Sequence, residues 1–212
     1  MIVAALGTAW TGGWAFAIFW IAAGAAIIWE WQRMVRAAGP PAPVWLAAGI
    51  PYALLTAAAA IAIRSSPDFG LVAILWLFAT VWITDIAAYF AGRLIGGPKL
   101  WPAVSPKKTW SGAIGGVIGG ALTGAALLKL IYVPVGPGII LFGIAIAVSA
   151  EAGDLFESWM KRHFGVKDSS NLIPGHGGVM DRLDGFSFAV ILAAAVGWLK
   201  ASDDIARGII IW

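Results

Sequence analysis

The chain has 212 residues, 60% hydrophobic and only 12% charged, with a mean hydropathy of +0.87. A soluble domain carries about 25% charged residues, so a water-soluble globule is excluded, and the hydrophobicity excludes disorder. The absence of cysteine removes disulfides, thiolate metal sites and cysteine nucleophiles, and the formal charge of +3 has to be read by position, not as a nucleic-acid signal.

In chain order, an apolar run at 1–10 is expected to extend the first span or lie at the membrane interface. No Lys or Arg precedes it, which argues against a cleaved signal peptide. Six longer segments follow, at 11–32, 44–63, 69–92, 111–133, 138–160 and 183–200. They are continuously apolar and near the ~20 residues a spanning helix needs, unlike the alternating ten-residue strands of a barrel. The tail at 205–212 is too short to cross. The expected fold is an all-α integral membrane protein of about six transmembrane helices, one polytopic domain over 1–212 with two functional cytoplasmic loops.

Ten of the fourteen Lys and Arg residues fall on alternate connections: Arg33 and Arg36; Arg93, Lys99, Lys107 and Lys108; Lys161, Arg162, Lys167 and Arg182. The positive-inside rule makes that side cytoplasmic and puts both termini outside. Two connections there, 93–110 and 161–184, exceed what a turn needs. The thirteen Trp are expected mostly at the interfaces. Gly112, Gly116, Gly120 and Gly124 recur every four residues, a pattern for close helix packing.

Asp85, Glu151, Asp154 and Glu157 sit inside apolar segments, where a charge is costly unless it faces protein, water or a cation. The three on the fifth segment recur every third residue, along one helix face with Ser158 and Lys161. Glu30, near the end of its span, is expected simply to reach the interface or pair with a Lys or Arg. In 161–184 the cations suit phosphate oxygens. The turn Pro174-Gly175-His176-Gly177-Gly178 allows close backbone approach, and Asp181 and Asp184 open the last helix. Carboxylates beside cations and a Gly-rich turn describe a Mg2+–phosphate site. With two His and no Cys, a structural zinc site is not expected. No P-loop spacing or nucleophile elbow is present.

The stretch Ser158-Trp-Met-Lys-Arg, then Lys167-Asp168-Ser-Ser-Asn-Leu-Ile-Pro-Gly-His-Gly-Gly-Val-Met-Asp-Arg-Leu-Asp184, resembles the C-terminal signature of the phosphatidate cytidylyltransferases, the CDP-diacylglycerol synthases. The resemblance continues in Gly153-Asp-Leu-Phe-Glu-Ser158, Asp85-Ile-Ala-Ala-Tyr-Phe-Ala-Gly-Arg93 and Ser105-Pro-Lys-Lys-Thr-Trp-Ser-Gly112, so it covers 85–184. It implies transfer of CMP from CTP to phosphatidate at the cytoplasmic face of the inner (cytoplasmic) membrane, with no nucleic-acid partner and with a homodimer as the family's precedent. It implies Mg2+ held by Asp154 and Asp181, with Asp184 and Glu157 in support, and a second cation or loop-ordering role near Asp85. Lys161 and Arg182 would act in catalysis. Lys107, Lys108, Arg162, Lys167, Asp168, His176, Gly177, Gly178 and Ser105 would contact substrate. Many bacterial members carry further N-terminal helices, whereas about two spans precede Asp85 here. The competing expectations are a CTP-dependent enzyme acting on another lipid and a cation transporter.

Overall fold

The computed structural model describes residues 2–40, 42–175 and 177–212. The elements run α1 (Ile2–Thr11), α2 (Gly13–Ala37), α3 (Pro43–Arg64), α4 (Gly70–Leu94), β1 (Lys99–Trp101), β2 (Ser105–Thr109), α5 (Trp110–Leu130), α6 (Pro137–His163), α7 (Met180–Lys200) and α8 (Ile205–Ile210). The helices α2 to α7 are 21 to 27 residues long and apolar enough to cross a membrane. A helix satisfies its own backbone, so it is the form such sequences take in lipid. The six expected spans are therefore all present, each within a few residues of its expected limits.

Two segments differ from expectation. The apolar run expected at 1–10 does not continue the first span: its described residues begin at Ile2. It is a separate helix, broken from α2 where Gly12 and Gly13 take φ of 65° and 52°, a backbone open to glycine. The guanidinium of Arg64 caps it, with Nε donating to the Ala9 carbonyl at 2.7 Å. The connection 93–110 is an antiparallel hairpin, with Lys99 opposite Thr109 and Trp101 opposite Ser105.

The core joins α2, α4, α6 and α7. Trp20 stacks on Phe186 at 5.1 Å between ring centroids, Phe78 meets Phe186 in a tilted contact at 5.1 Å, and Trp76 stacks on Phe142 at 5.6 Å. Trp20, Trp31 and Trp76 are buried, so the interfacial expectation fails for these three. Their rings fill volume between helices that Ala and Gly leave close together.

The glycine row of α5 packs against α4. A Cβ on Gly116 would lie 2.8 Å from the Thr84 carbonyl, and one on Gly124 would lie 2.7 Å from Trp76 Nε1. At Gly120 it would strike the Thr84 hydroxyl and stand 2.8 Å from the Thr80 carbonyl. The row is thus spent within the chain. Gly120→Ala is expected to lower the melting temperature in detergent, at an overpacking cost of about 1–3 kcal/mol. Gly136→Ala, where nothing lies within 4 Å, is the neutral control.

Candidate active site

Antiparallel alternation brings the C-terminal ends of α2, α4 and α6, the N-terminal ends of α5 and α7, the hairpin and the 164–179 connection to one end of the bundle. The acidic row of α6 faces this assembly. Glu151 and Glu157 are buried, and Asp154 is partly exposed between them.

Two lysines clasp the row from opposite sides. Lys108, near the end of β2, places Nζ 3.0 Å from Glu151 Oε2 and 2.7 Å from Asp154 Oδ2. Lys161, one turn beyond Glu157 on α6, places Nζ 2.9 Å from Glu157 Oε2 and 2.8 Å from Asp181 Oδ1 at the start of α7. Burial opposes the charge on Lys108, but the Asp154 and Glu151 carboxylates outweigh it and raise its pKa above the usual lysine value. It is an ammonium ion at neutral pH.

A cavity of about 490 Å3 opens beside Lys108. Asp85, Glu151 and Asp154 form its acidic wall, and Arg93, Lys99 and Lys107 add cations to Lys108. Arg93 Nη1 donates to the Tyr89 hydroxyl at 3.2 Å. Asp184 is half-buried one turn into α7, where it accepts from the Gly185 N–H at 2.7 Å and interacts with both Asp154 and Glu157.

Asp154 and Asp181 therefore belong to adjoining clusters, the first held by Lys108 and the second by Lys161. Among the described residues, no three carboxylates converge as a preformed ligand set. The donor chemistry nevertheless fits a hard divalent cation. Every acidic donor is an oxygen, and the ion pairs join two ammonium groups to four carboxylates while Asp85 and Asp184 add two more. Glu151 Oε1 and Glu157 Oε1 are buried without a hydrogen-bond partner.

The remaining expected residues separate by place. Lys107 is exposed at the cavity rim, while its neighbour Lys108 is drawn inward. Ser105 lies in β2 and does not line the cavity. Arg162, Lys167 and Asp168 are exposed, and Arg182 is exposed in the first turn of α7. His176 lies outside the described residues. The Gly178 N–H, expected to face substrate, donates to Asp181 Oδ2 at 2.7 Å. A Cβ on Gly177 would stand 2.8 Å from the same oxygen.

Glu30 was expected at the interface or beside a cation, and the structure corrects this. It is fully buried and accepts from the Ser170 hydroxyl at 2.6 Å, the Val179 N–H at 2.8 Å and the Met180 N–H at 2.6 Å. The only local signal was a carboxylate between Trp29 and Trp31 in an apolar helix, and its donors are contributed from far along the chain.

The cytidylyltransferase family model matches residues 41–199. The phosphatidate cytidylyltransferase of Brucella suis biovar 1 (strain 1330) is 47% identical over 165 residues, 78% of this chain and 61% of that protein. The phosphatidate cytidylyltransferase of Staphylococcus haemolyticus (strain JCSC1435) is 46% identical over 126 residues, 58% of this chain and 48% of that one. The matched parts thus span roughly half to three-fifths of these relatives' lengths. Both lysine clasps and the whole acidic row lie within the stretch that the family model covers, and the chain belongs to the cytidylyltransferase family.

Proposed function

We propose that this membrane protein transfers CMP from CTP to phosphatidate, giving CDP-diacylglycerol and pyrophosphate, at the hairpin end of the bundle facing the cytoplasm. The observation that carries the reading is the Lys108-clasped acidic wall beside a cavity at one end of six membrane-length helices. Phosphatidate is confined to the leaflet and CTP to water, so the reaction needs a site where both reach. The names and similarity of the relatives support the same chemistry. A cation path would instead need ionisable groups through the membrane depth, whereas the acidic row gathers at one end.

A phosphatidate oxygen attacks the α-phosphorus of CTP, and the bond from that phosphorus to the bridging oxygen of the β-phosphate breaks as pyrophosphate leaves. The phosphate monoester is already anionic near neutral pH, so no strong general base is required. Catalysis rests on positioning and charge. Lys108, Lys107, Lys99 and Arg93 offer the cationic wall for phosphates. Lys161 holds Asp181 against Glu157, which fixes the start of α7 relative to α6. Asp154 and Asp181, with Asp184 and Glu157, would hold Mg2+, and Asp85 with Glu151 a second cation. Bound Mg2+ supplies Lewis-acid stabilisation of charge on the phosphates.

Labelled CTP and phosphatidate given to sealed membrane vesicles test the reading. Chloroform-soluble label is expected in inside-out vesicles and not in right-side-out ones. No lipid product in either, or in detergent, overturns the activity. Product from right-side-out vesicles alone overturns the orientation.

A further inference from the structure

We infer that Glu30 is a positioning residue for the proposed reaction: from the end of α2 it holds the Ser169–Ser170 segment and the start of α7 where Asp181 must stand. The inference rests on the function proposed above, but its geometry is independent of it.

A fully buried carboxylate in a helix bundle needs compensation. Among the described residues no cation pairs with Glu30. Four donors surround it instead. Oε1 accepts from the Ser170 hydroxyl at 2.6 Å and the Val179 N–H at 2.8 Å, and Oε2 accepts from the Met180 N–H at 2.6 Å with the Ser169 hydroxyl 3.3 Å away. Two of these donors are backbone N–H groups at the start of α7, which a helix leaves without internal partners. The negative charge also meets the positive end of that helix's dipole. Val179 stands at the N-cap and has no side chain able to cap. Glu30 caps α7 in its place from a different helix.

The network continues to the site. The Ser169 hydroxyl lies 2.9 Å from Asp181 Oδ2, and the Ser169 N–H donates to that oxygen at 3.1 Å. Asp181 Oδ1 then accepts from Lys161. A side chain at Gly178 would collide with the Ser169 hydroxyl and the Glu30 carboxylate, so that glycine leaves room for this arrangement. Glu30 precedes the residues 41–199 matched by the family model. Its support of the loop is thus a contribution of α2, from outside the matched stretch.

Glu30→Gln tests this, because an amide nitrogen cannot accept and must face two of the four donors. A spin label on Leu172→Cys, exposed on the connection, reports loop order in a chain with no other cysteine. In Glu30→Gln the label is expected to become more mobile, while the protein stays monodisperse in detergent. In the same variant kcat should fall at least tenfold and the KM for CTP should change less than threefold. Unchanged label mobility overturns the inference, and so does a mobilised loop with parental kcat. If Glu30→Gln does not fold, Ser170→Ala removes the 2.6 Å bond and keeps the carboxylate, and the same two outcomes apply with a smaller expected change. Absence of CTP-dependent product in the parent protein would overturn the proposed reaction, while the label would still report whether Glu30 orders the loop.

Discussion

Asp154→Asn is expected to abolish most turnover, on the order of a thousandfold or more, while the protein remains folded and inserted. The asparagine oxygen can still face Lys108 or accept from Ser158, which Asp154 does now at 2.7 and 3.3 Å, so little structure is lost. What disappears is charge at the proposed phosphate site, and Lewis-acid stabilisation of several kcal/mol with it if the carboxylate holds Mg2+. Asp181→Asn is expected to be as inactive but for two reasons. Asp181 also accepts from Lys161, Ser169 and Gly178, so the amide disturbs the connection before α7 as well. The two groups act on one step, and the double variant should be little worse than either single one. Single-turnover assays across a Mg2+ series, with EDTA as the control, make the comparison. Parental activity of Asp154→Asn at limiting Mg2+ would remove that residue from the metal set.

The second large effect is expected at Lys108. Lys108→Met removes the ammonium from between Glu151 and Asp154 and leaves both carboxylates without that partner. Breaking one side of a fully buried pair typically costs about 3–5 kcal/mol; these pairs are partly buried and the cost should be smaller, but both melting temperature and kcat should fall, the latter at least a hundredfold. Lys107→Met, at the exposed rim, should lose no more than about tenfold, the lower end for a charge-assisted contact. Equal losses at the two positions would refute the assignment of the inward role to Lys108. The sign of the pH effect follows from the raised pKa of Lys108. Its stabilisation is in full force below the ordinary lysine value and is lost only as pH rises through the higher folded value. The parent protein's melting temperature should therefore show no Lys108-dependent fall between pH 6 and 9 (about four to one pH units below the ordinary lysine value).

The spans were legible because unbroken apolar runs leave a backbone no alternative in lipid. The acidic row was legible because a carboxylate in such a run is expensive enough to need a reason. The hairpin was not. Its strands are three and five residues long, the second is polar and interrupted by Pro106, and both are too short for an alternation to mark them. Without the hairpin, Lys107 and Lys108 read as equivalent, although adjacent strand residues face opposite ways. Glu30 was illegible for a different reason. Its donors lie 139 to 150 residues away, and local sequence shows only a charge near a helix end. The division of Asp154 and Asp181 between two lysines likewise depends on how α6 meets the hairpin and α7.

The hairpin's attachment has a kinetic consequence. Its roots are staked together: a Cβ on Gly92 would lie 3.4 Å from the Gly112 Cα, so the ends of α4 and α5 touch backbone to backbone. Gly96 and Gly97, with φ of 69° and 99°, are where the arm could bend. Yet the Ser111 hydroxyl donates to the carbonyl of Gly96 itself, and the Trp110 N–H donates to the Pro98 carbonyl just beyond the pair at 3.1 Å. The arm is thus tied at its base by two hydrogen bonds as well as packed at its roots. An opening of the microsecond-to-millisecond kind that paces many enzymes would have to break both bonds before the hairpin could move its Lys99, Lys107 and Lys108 away from the cavity they line.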